Sequence, residues 1–306
     1  MRLIAVVYVP VSEDDVKHYL EAARVHLAAQ EVAKATVKEG ASVLNAANEI
    51  EKEITGAGGG AAPAFPVNIS FNHEAAHSTP AAGEGRLFGR EVVKVDIGVH
   101  VEGRIIDSGF TIDLGGENGA LVEASQQALQ DALSVMRAGV KAKLIGETIQ
   151  ESIEKKGFKP VENLSGHLLE PYNLHAGIEV PNVGRGGEHV FQEGEVFAVE
   201  PFASTGAGFV VDSPNPAEIY SIINPKNVRL QSSRDFLRIA FERYNLLPFA
   251  KRWLAEEKML EFSIRDLVRQ GVLHAYPVLL DGKKGSLVSQ AESTVLVEKD
   301  SVKVFV

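Results

Sequence analysis

Asp96 and Asp107 stand eleven residues apart on either side of an expected hairpin turn, and His167, Glu200 and Glu292 follow them along the chain. One imidazole and four carboxylates are enough donors for two metal ions. A set rich in oxygen with one nitrogen suits hard or borderline dications such as Mn, Fe, Co or Zn. A lone carboxylate or histidine is ordinarily a surface group or a hydrogen-bonded core residue, so the weight lies on the five together.

Each of the five has a legible setting. The runs Val92–Val101 and Arg104–Thr111, joined by Glu102-Gly103, carry the β-branched residues and the glycine-bearing two-residue turn of a hairpin. With that turn Asp96 lies opposite Gly109, and Asp107, two residues from Gly109, shares its face. Two carboxylates so placed in an apolar ribbon are costly unless a cation neutralises them; a register slip of one residue would put them on opposite faces. His167 follows Gly166 at the end of Asn163-Leu164-Ser165, and a glycine there lets backbone approach closely. Glu200 ends the apolar run Val196–Val199 before Pro201 stops the ladder, and Glu292 precedes Ser293–Val297.

The elements that must hold these residues can be sketched from the same patterns. Ser12 caps a helix with Asp15 at capping-box distance, and Val16, Leu20, Ala23 and Leu27 recur at helical spacing. Further helices are expected over Ser42 to Thr55, Asn118 to Ala138 and Leu144 to Lys156. The run Gly56–Pro63 breaks the chain as a flexible loop, since it lacks the Lys-Ser/Thr of a phosphate cradle. Leu3–Val9 is apolar but too short to span a bilayer and has no small-residue cleavage site, so it reads as an additional strand.

Composition narrows the function classes. The 306 residues can bury a large core, and a net charge of −10 argues against a dedicated nucleic-acid binder. With no cysteine, disulfides and thiol catalysis are both excluded.

Several stretches carry a resemblance to a known family: Ala64–Ser70, Ala75–Pro80, the Asp96 to Asp107 hairpin, Ser165–His167, Leu174–Gly177, Ala198–Ala203 and Val297–Ser301. In order and spacing the chain resembles the methionine aminopeptidases of the M24 peptidase family, most closely type 2 in its short archaeal form. The resemblance implies an α+β pita-bread fold with a curved antiparallel sheet, and a pair of divalent ions (Co, Mn, Fe or Zn) held by Asp96, Asp107, His167, Glu200 and Glu292. It implies catalytic roles for His77 and His175, which from the residues alone are as readily ordinary hydrogen-bonded histidines, and for Glu200 as general base. It also implies a methionine pocket walled by Phe65, Leu174, His175 and Tyr276, with His77 at its rim; without the family, Phe65 and Tyr276 read as core packing. The substrate would be the N-terminus of a nascent polypeptide with a small second residue, in the cytoplasm. The ribosome is a further candidate partner, with no membrane and a monomeric enzyme.

Between Glu200 and Glu292 lies an insertion of the kind that separates type 2 from type 1 enzymes. Ser233 to Tyr244, Pro248 to Glu257 and Ser263 to Gly271 read as three short helices, followed by a strand over Tyr276 to Leu280. The organisation expected is a catalytic domain of residues 1–225 and 272–306 with a winged-helix-like helical insertion, 226–271. The insertion holds 10 Lys plus Arg against 6 Asp plus Glu, and its apolar residues resemble packing positions, so nucleic-acid binding is not expected. The alternatives are a related peptidase cleaving before proline and a binding protein on the same scaffold. One departure from the family bears on the latter: Gln290-Ala291-Glu292-Ser293-Thr294 replaces the usual Gln-Phe-Glu-His-Thr, so two bulky neighbours of the last carboxylate become small.

Overall fold

The computed structural model describes residues 11–306; the strand expected over Leu3–Val9 lies outside the described residues. Helix α1, Glu13–Thr36, opens with the full capping box between Ser12 and Asp15. Its buried stripe is Tyr19, Ala22, Ala23, Val25, His26, Ala29 and Ala33, whereas Leu20 and Leu27 are about half exposed. The expected face is therefore rotated. The helix lies flat on the hairpin, and small alanines permit that close approach where leucines would hold it off.

Helix α2, Val43–Gly56, is capped by Ser42, and Gly58, Gly59 and Gly60 follow with positive φ in the loop that leads into the strand Ala61–Pro63. The hairpin Val92–Val101/Arg104–Asp113 turns at Glu102 and Gly103, with φ of 48° and 80°. Positive φ at both central residues is the turn whose twist matches paired strands. The register sets Asp96 against Gly109 and Gly98 against Asp107. Asn68–Phe71 and Ala61–Pro63 pair with the outer side of Val92–Val101, and α1 and α2 close one core over this sheet.

The second half is a five-stranded antiparallel sheet in the spatial order Val302–Val304, Ser293–Val297, Val196–Val199, Ser165–Leu168, Glu179–Pro181. Helices α3, Gly119–Val135, and α4, Ala142–Lys155, bury their apolar faces in its core. Both lie within a few residues of the expected spans.

The insertion differs most from expectation. Helix α5, Gln231–Tyr244, and helix α6, Leu260–Arg269, pack with the strands Ile219–Ile222, Phe249–Ala250 and Leu273–Tyr276 around a separate cluster that includes Phe236, Phe249, Leu254 and Leu267. In place of a helix over Pro248 to Glu257 there is a two-residue strand, Phe249–Ala250, and one 3-10 turn, Lys251–Leu254. Pairing of Phe249 with Tyr220 and Ala250 with Ile219 captures the backbone before a helix can start. The strand expected over Tyr276 to Leu280 is broken at Pro277, which has no N–H for a ladder; Leu273–Tyr276 joins one sheet and Leu279–Asp281 another. Among the described residues no helix is long and apolar enough to cross a membrane.

Candidate metal centre

The hairpin contains Asp96-Ile97-Gly98 and Asp107-Ser108-Gly109, and each aspartate faces the other triplet's glycine across the ladder. Those glycines make the room. A Cβ on Gly109 would lie 2.7 Å from Gln290 Nε2 and 3.0 Å from Glu292 Oε2; one on Gly98 would lie 3.3 Å from Asp107 Oδ1. The gap admits the Gln290–Thr294 segment, which is clamped to the strand Arg104–Asp113. Glu292 N–H donates to Gly109 C=O (2.9 Å), the Ser108 hydroxyl donates to Glu292 C=O (2.8 Å), and Asp107 N–H donates to Thr294 Oγ1 (2.7 Å).

His167 and Glu200 arrive from the five-stranded sheet, where His167 pairs with Ala198. A Cβ on Gly166 would meet Ala198 C=O at 2.3 Å, so only glycine lets the His167 strand seat there. His167 Nε2 ends 3.7 Å from Asp107 Oδ2 and 3.9 Å from Glu200 Oε1, beyond hydrogen-bonding distance. Donor atoms of Asp107, His167 and Glu292 lie within 4.8 Å of one another. These three are buried, and Asp96 and Glu200 are half-buried on the same cavity of about 40 Å³.

The donor set fits a cation. Among the described residues lining this cavity there is neither lysine nor arginine, while Asp107 Oδ1 and His167 Nδ1 have no hydrogen-bond partner. Burial raises Asp96 to about 6. Burial, and then the charge of Asp96, hold Asp107 well above the ordinary carboxylate range, and the same two causes act on Glu200 and Glu292, with Asp107 adding to both. Burial keeps His167 neutral, the form that binds a metal. Such a cluster holds protons that a bound dication would displace.

The remaining predicted residues surround this centre. Phe65, His77, Leu174 and His175 line the cavity. Tyr276 packs against it, its ring 5.3 Å from His77 and 5.5 Å from Phe65. The His175 ring meets that of His167 edge-on at 4.5 Å, and His77 has φ of 64° with Nδ1 3.3 Å from Pro277 C=O. Three further residues were not singled out by role from the sequence. Asn68 lines the cavity opposite Asp96 with Oδ1 unpartnered, Gln290 Nε2 donates to Asp96 Oδ2 (3.0 Å) and Glu292 Oε2 (3.1 Å), and the His274 ring meets that of Tyr276 edge-on at 4.6 Å. For the first two the available signal was their place in the stretches Ala64–Ser70 and Gln290–Thr294.

Residues 17–233 match metallopeptidase family M24. The chain belongs to that family. A methionine aminopeptidase of Pyrococcus horikoshii is 43% identical over 295 residues, covering 95% of this M24 chain and 99% of its own. Among solved structures, a thermophilic Arx1 superimposes with a TM-score of 0.85 at 17% identity, covering 96% of this chain and 91% of that one. The methionine aminopeptidase of Thermotoga maritima superimposes with a TM-score of 0.69 at 19% identity, covering 97% and 99%. At those identities the two structures speak to fold, and the pita-bread α+β architecture of M24 aminopeptidases and prolidases is the one observed. The M24 chain is a metal-dependent peptidase by family, and its described residues include a cluster, Asp107, His167 and Glu292, that could hold a metal ion.

Proposed function

We propose that this peptidase removes the initiator methionine from nascent chains as a type 2 methionine aminopeptidase. Asp96, Asp107, His167, Glu200 and Glu292 would hold two divalent ions drawn from Co, Mn, Fe or Zn. The observation that carries this reading is the convergence of four carboxylates and the neutral imidazole of His167 on a single cavity whose described lining has no lysine or arginine, in a chain 43% identical to a methionine aminopeptidase across nearly its full length. Divalent ions bound there supply Lewis acidity to the scissile carbonyl and lower the pKa of a water.

The chain's own groups do the rest. Glu200, its carboxyl raised by burial and by Asp96 and Asp107, suits taking a proton from the attacking water and returning it to the leaving amine. Burial holds His77 down to about 3, so its ring is neutral. With Nδ1–H donating to Pro277 C=O, His77 Nε2 is left as acceptor for the amide N–H beyond the scissile carbonyl. His175, against His167, is placed to donate to the developing oxyanion. Phe65, Leu174 and Tyr276 provide the apolar walls for the methionine side chain, and the free α-amine pairs with the site carboxylates, which restricts cleavage to the first peptide bond. A bulky second residue would collide with the rim at His77.

In this reading residues 226–271 are the type 2 insertion on a catalytic domain of residues 1–225 and 272–306, and the enzyme acts as a cytoplasmic monomer, with the ribosome as a candidate partner. The test is release of methionine from Met-Ala-Ser by metal-stripped protein, with Co, Mn, Fe or Zn added back singly. Release that requires metal, with none from an N-acetylated control, is the expected outcome. Folded protein that releases nothing with any metal would turn the reading to a binding scaffold.

A further inference from the structure

Glu51 of α2 and Arg252 of the 3-10 turn Lys251–Leu254 form an ion pair with side chains 10% and 4% exposed. It is the centre of a closed loop of hydrogen bonds. The Glu51 carboxylate accepts from Arg252 Nη2, from Trp253 Nε1 (2.8 Å) and from the N–H of Val67 (3.3 Å). Arg252 Nη1 donates to Thr79 Oγ1 (2.6 Å) and to Pro80 C=O (3.2 Å), and the Thr79 hydroxyl donates to the C=O of Val67 (2.8 Å). Both backbone polar groups of Val67 are thus held by one network spanning α2, the insertion and the Ser78–Pro80 segment.

The two tethered points flank the pocket. Val67 lies two residues after Phe65, and Thr79 two residues after His77, whose φ of 64° needs support from its surroundings. The rings of Phe65 and His77 are 5.9 Å apart across the cavity wall. A buried ion pair is a poor source of stability, since well-packed apolar residues of similar volume often do as well or better. Here Arg252 Nε is left without a partner, so the pair is not even fully satisfied. What a forked guanidinium and a carboxylate provide that an apolar contact does not is direction.

We propose that the Glu51–Arg252 pair is a positioning device for the methionine pocket, through which the insertion sets the spacing of Phe65 and His77. Neither residue touches the cavity; both act through Val67 and Thr79. This rests on the pocket assignment made above, so one readout is chosen that needs no turnover.

The experiment compares metal-loaded full-length protein with Arg252→Met, Arg252→Lys and Thr79→Val. It reads amide exchange over residues 64–80, bound metal, and kcat and KM on Met-Ala-Ser and Leu-Ala-Ser. Arg252→Met should speed exchange over that segment and leave bound metal unchanged. It should also raise KM for Met-Ala-Ser about tenfold with a smaller change in kcat, and reduce the preference for methionine over leucine about tenfold, the scale on which an apolar pocket discriminates. Arg252→Lys should recover part of each. A folded Arg252→Met with parental exchange, KM and preference overturns the proposal. Should that variant not fold, Thr79→Val breaks only the Thr79 links, and the same readouts decide. A parent that releases no methionine would overturn the functional reading, and amide exchange alone would then decide the positioning role.

Discussion

At the scale of single residues, the question raised by Ala291 and Ser293 is what holds Glu292 when its neighbours are small. The answer is backbone: Glu292 N–H is bonded to Gly109, its C=O to the Ser108 hydroxyl, and its carboxylate to Gln290. None of these bonds uses the side chain at 291 or 293, so the carboxylate reaches the cavity without bulky flanks. Glu292→Ala should therefore remove a ligand rather than a support. Loss of a supporting group around a metal costs about 10- to 100-fold, so methionine release should fall by more than that, with less bound metal by elemental analysis. Unchanged metal content and turnover in this variant would show that Glu292 is not a ligand.

At the scale of elements, α1 is the back wall of the hairpin. His26, fully buried on its inner face, sits against the backbone of Ile97 and Ser108, the residues that follow Asp96 and Asp107. Burial lowers its pKa from 6.5 to about 4. The folded state thus refuses a proton that the unfolded chain accepts below about 6.5, so stability falls as pH drops from there towards 4. His26→Leu should flatten this acid limb, removing on the order of 3 kcal/mol of the parent's loss between neutral pH and pH 4. Urea denaturation of both proteins across that range measures it, and parallel curves would mean that His26 does not couple α1 to pH.

At the scale of the molecule, the cavity is where two halves meet. Asp96 and Asp107 come from the sheet backed by α1 and α2, His167 and Glu200 from the sheet backed by α3 and α4, and Glu292 enters between them. Uncompensated, the four carboxylates repel one another across that junction. A chelator should lower the melting temperature by several degrees, and re-addition of Mn, Co or Zn should restore it. Metal at one hundred times its Kd stabilises by about 2.7 kcal/mol, and each kcal/mol is worth roughly 2–4 °C in a chain approaching this size. Calorimetry with and without chelator checks this; a melting temperature indifferent to metal would argue that the folded site does not bind it.

Much of this was legible locally. The Glu102-Gly103 turn determined the hairpin register, because positive φ at two consecutive residues admits one pairing and the two-residue period then assigns each side chain a face. The Ser12 capping box likewise located the start of α1, since a cap satisfies donors within the next three residues. The tertiary structure alone decided what depends on partners far along the chain. It chose the alanine stripe of α1 over Leu20 and Leu27, replaced the helix expected over Pro248 to Glu257 with a strand and a 3-10 turn, and divided the Tyr276 to Leu280 run between two sheets. It also brought Asn68 and Gln290 to Asp96 and Arg252 to Glu51. In each case the deciding contact is long-range: Arg252 meets Glu51 201 residues away, and Gln290 meets Asp96 across 194. Local patterns set backbone dihedrals and caps. Which buried polar group finds which partner is settled only when the surfaces close on one another.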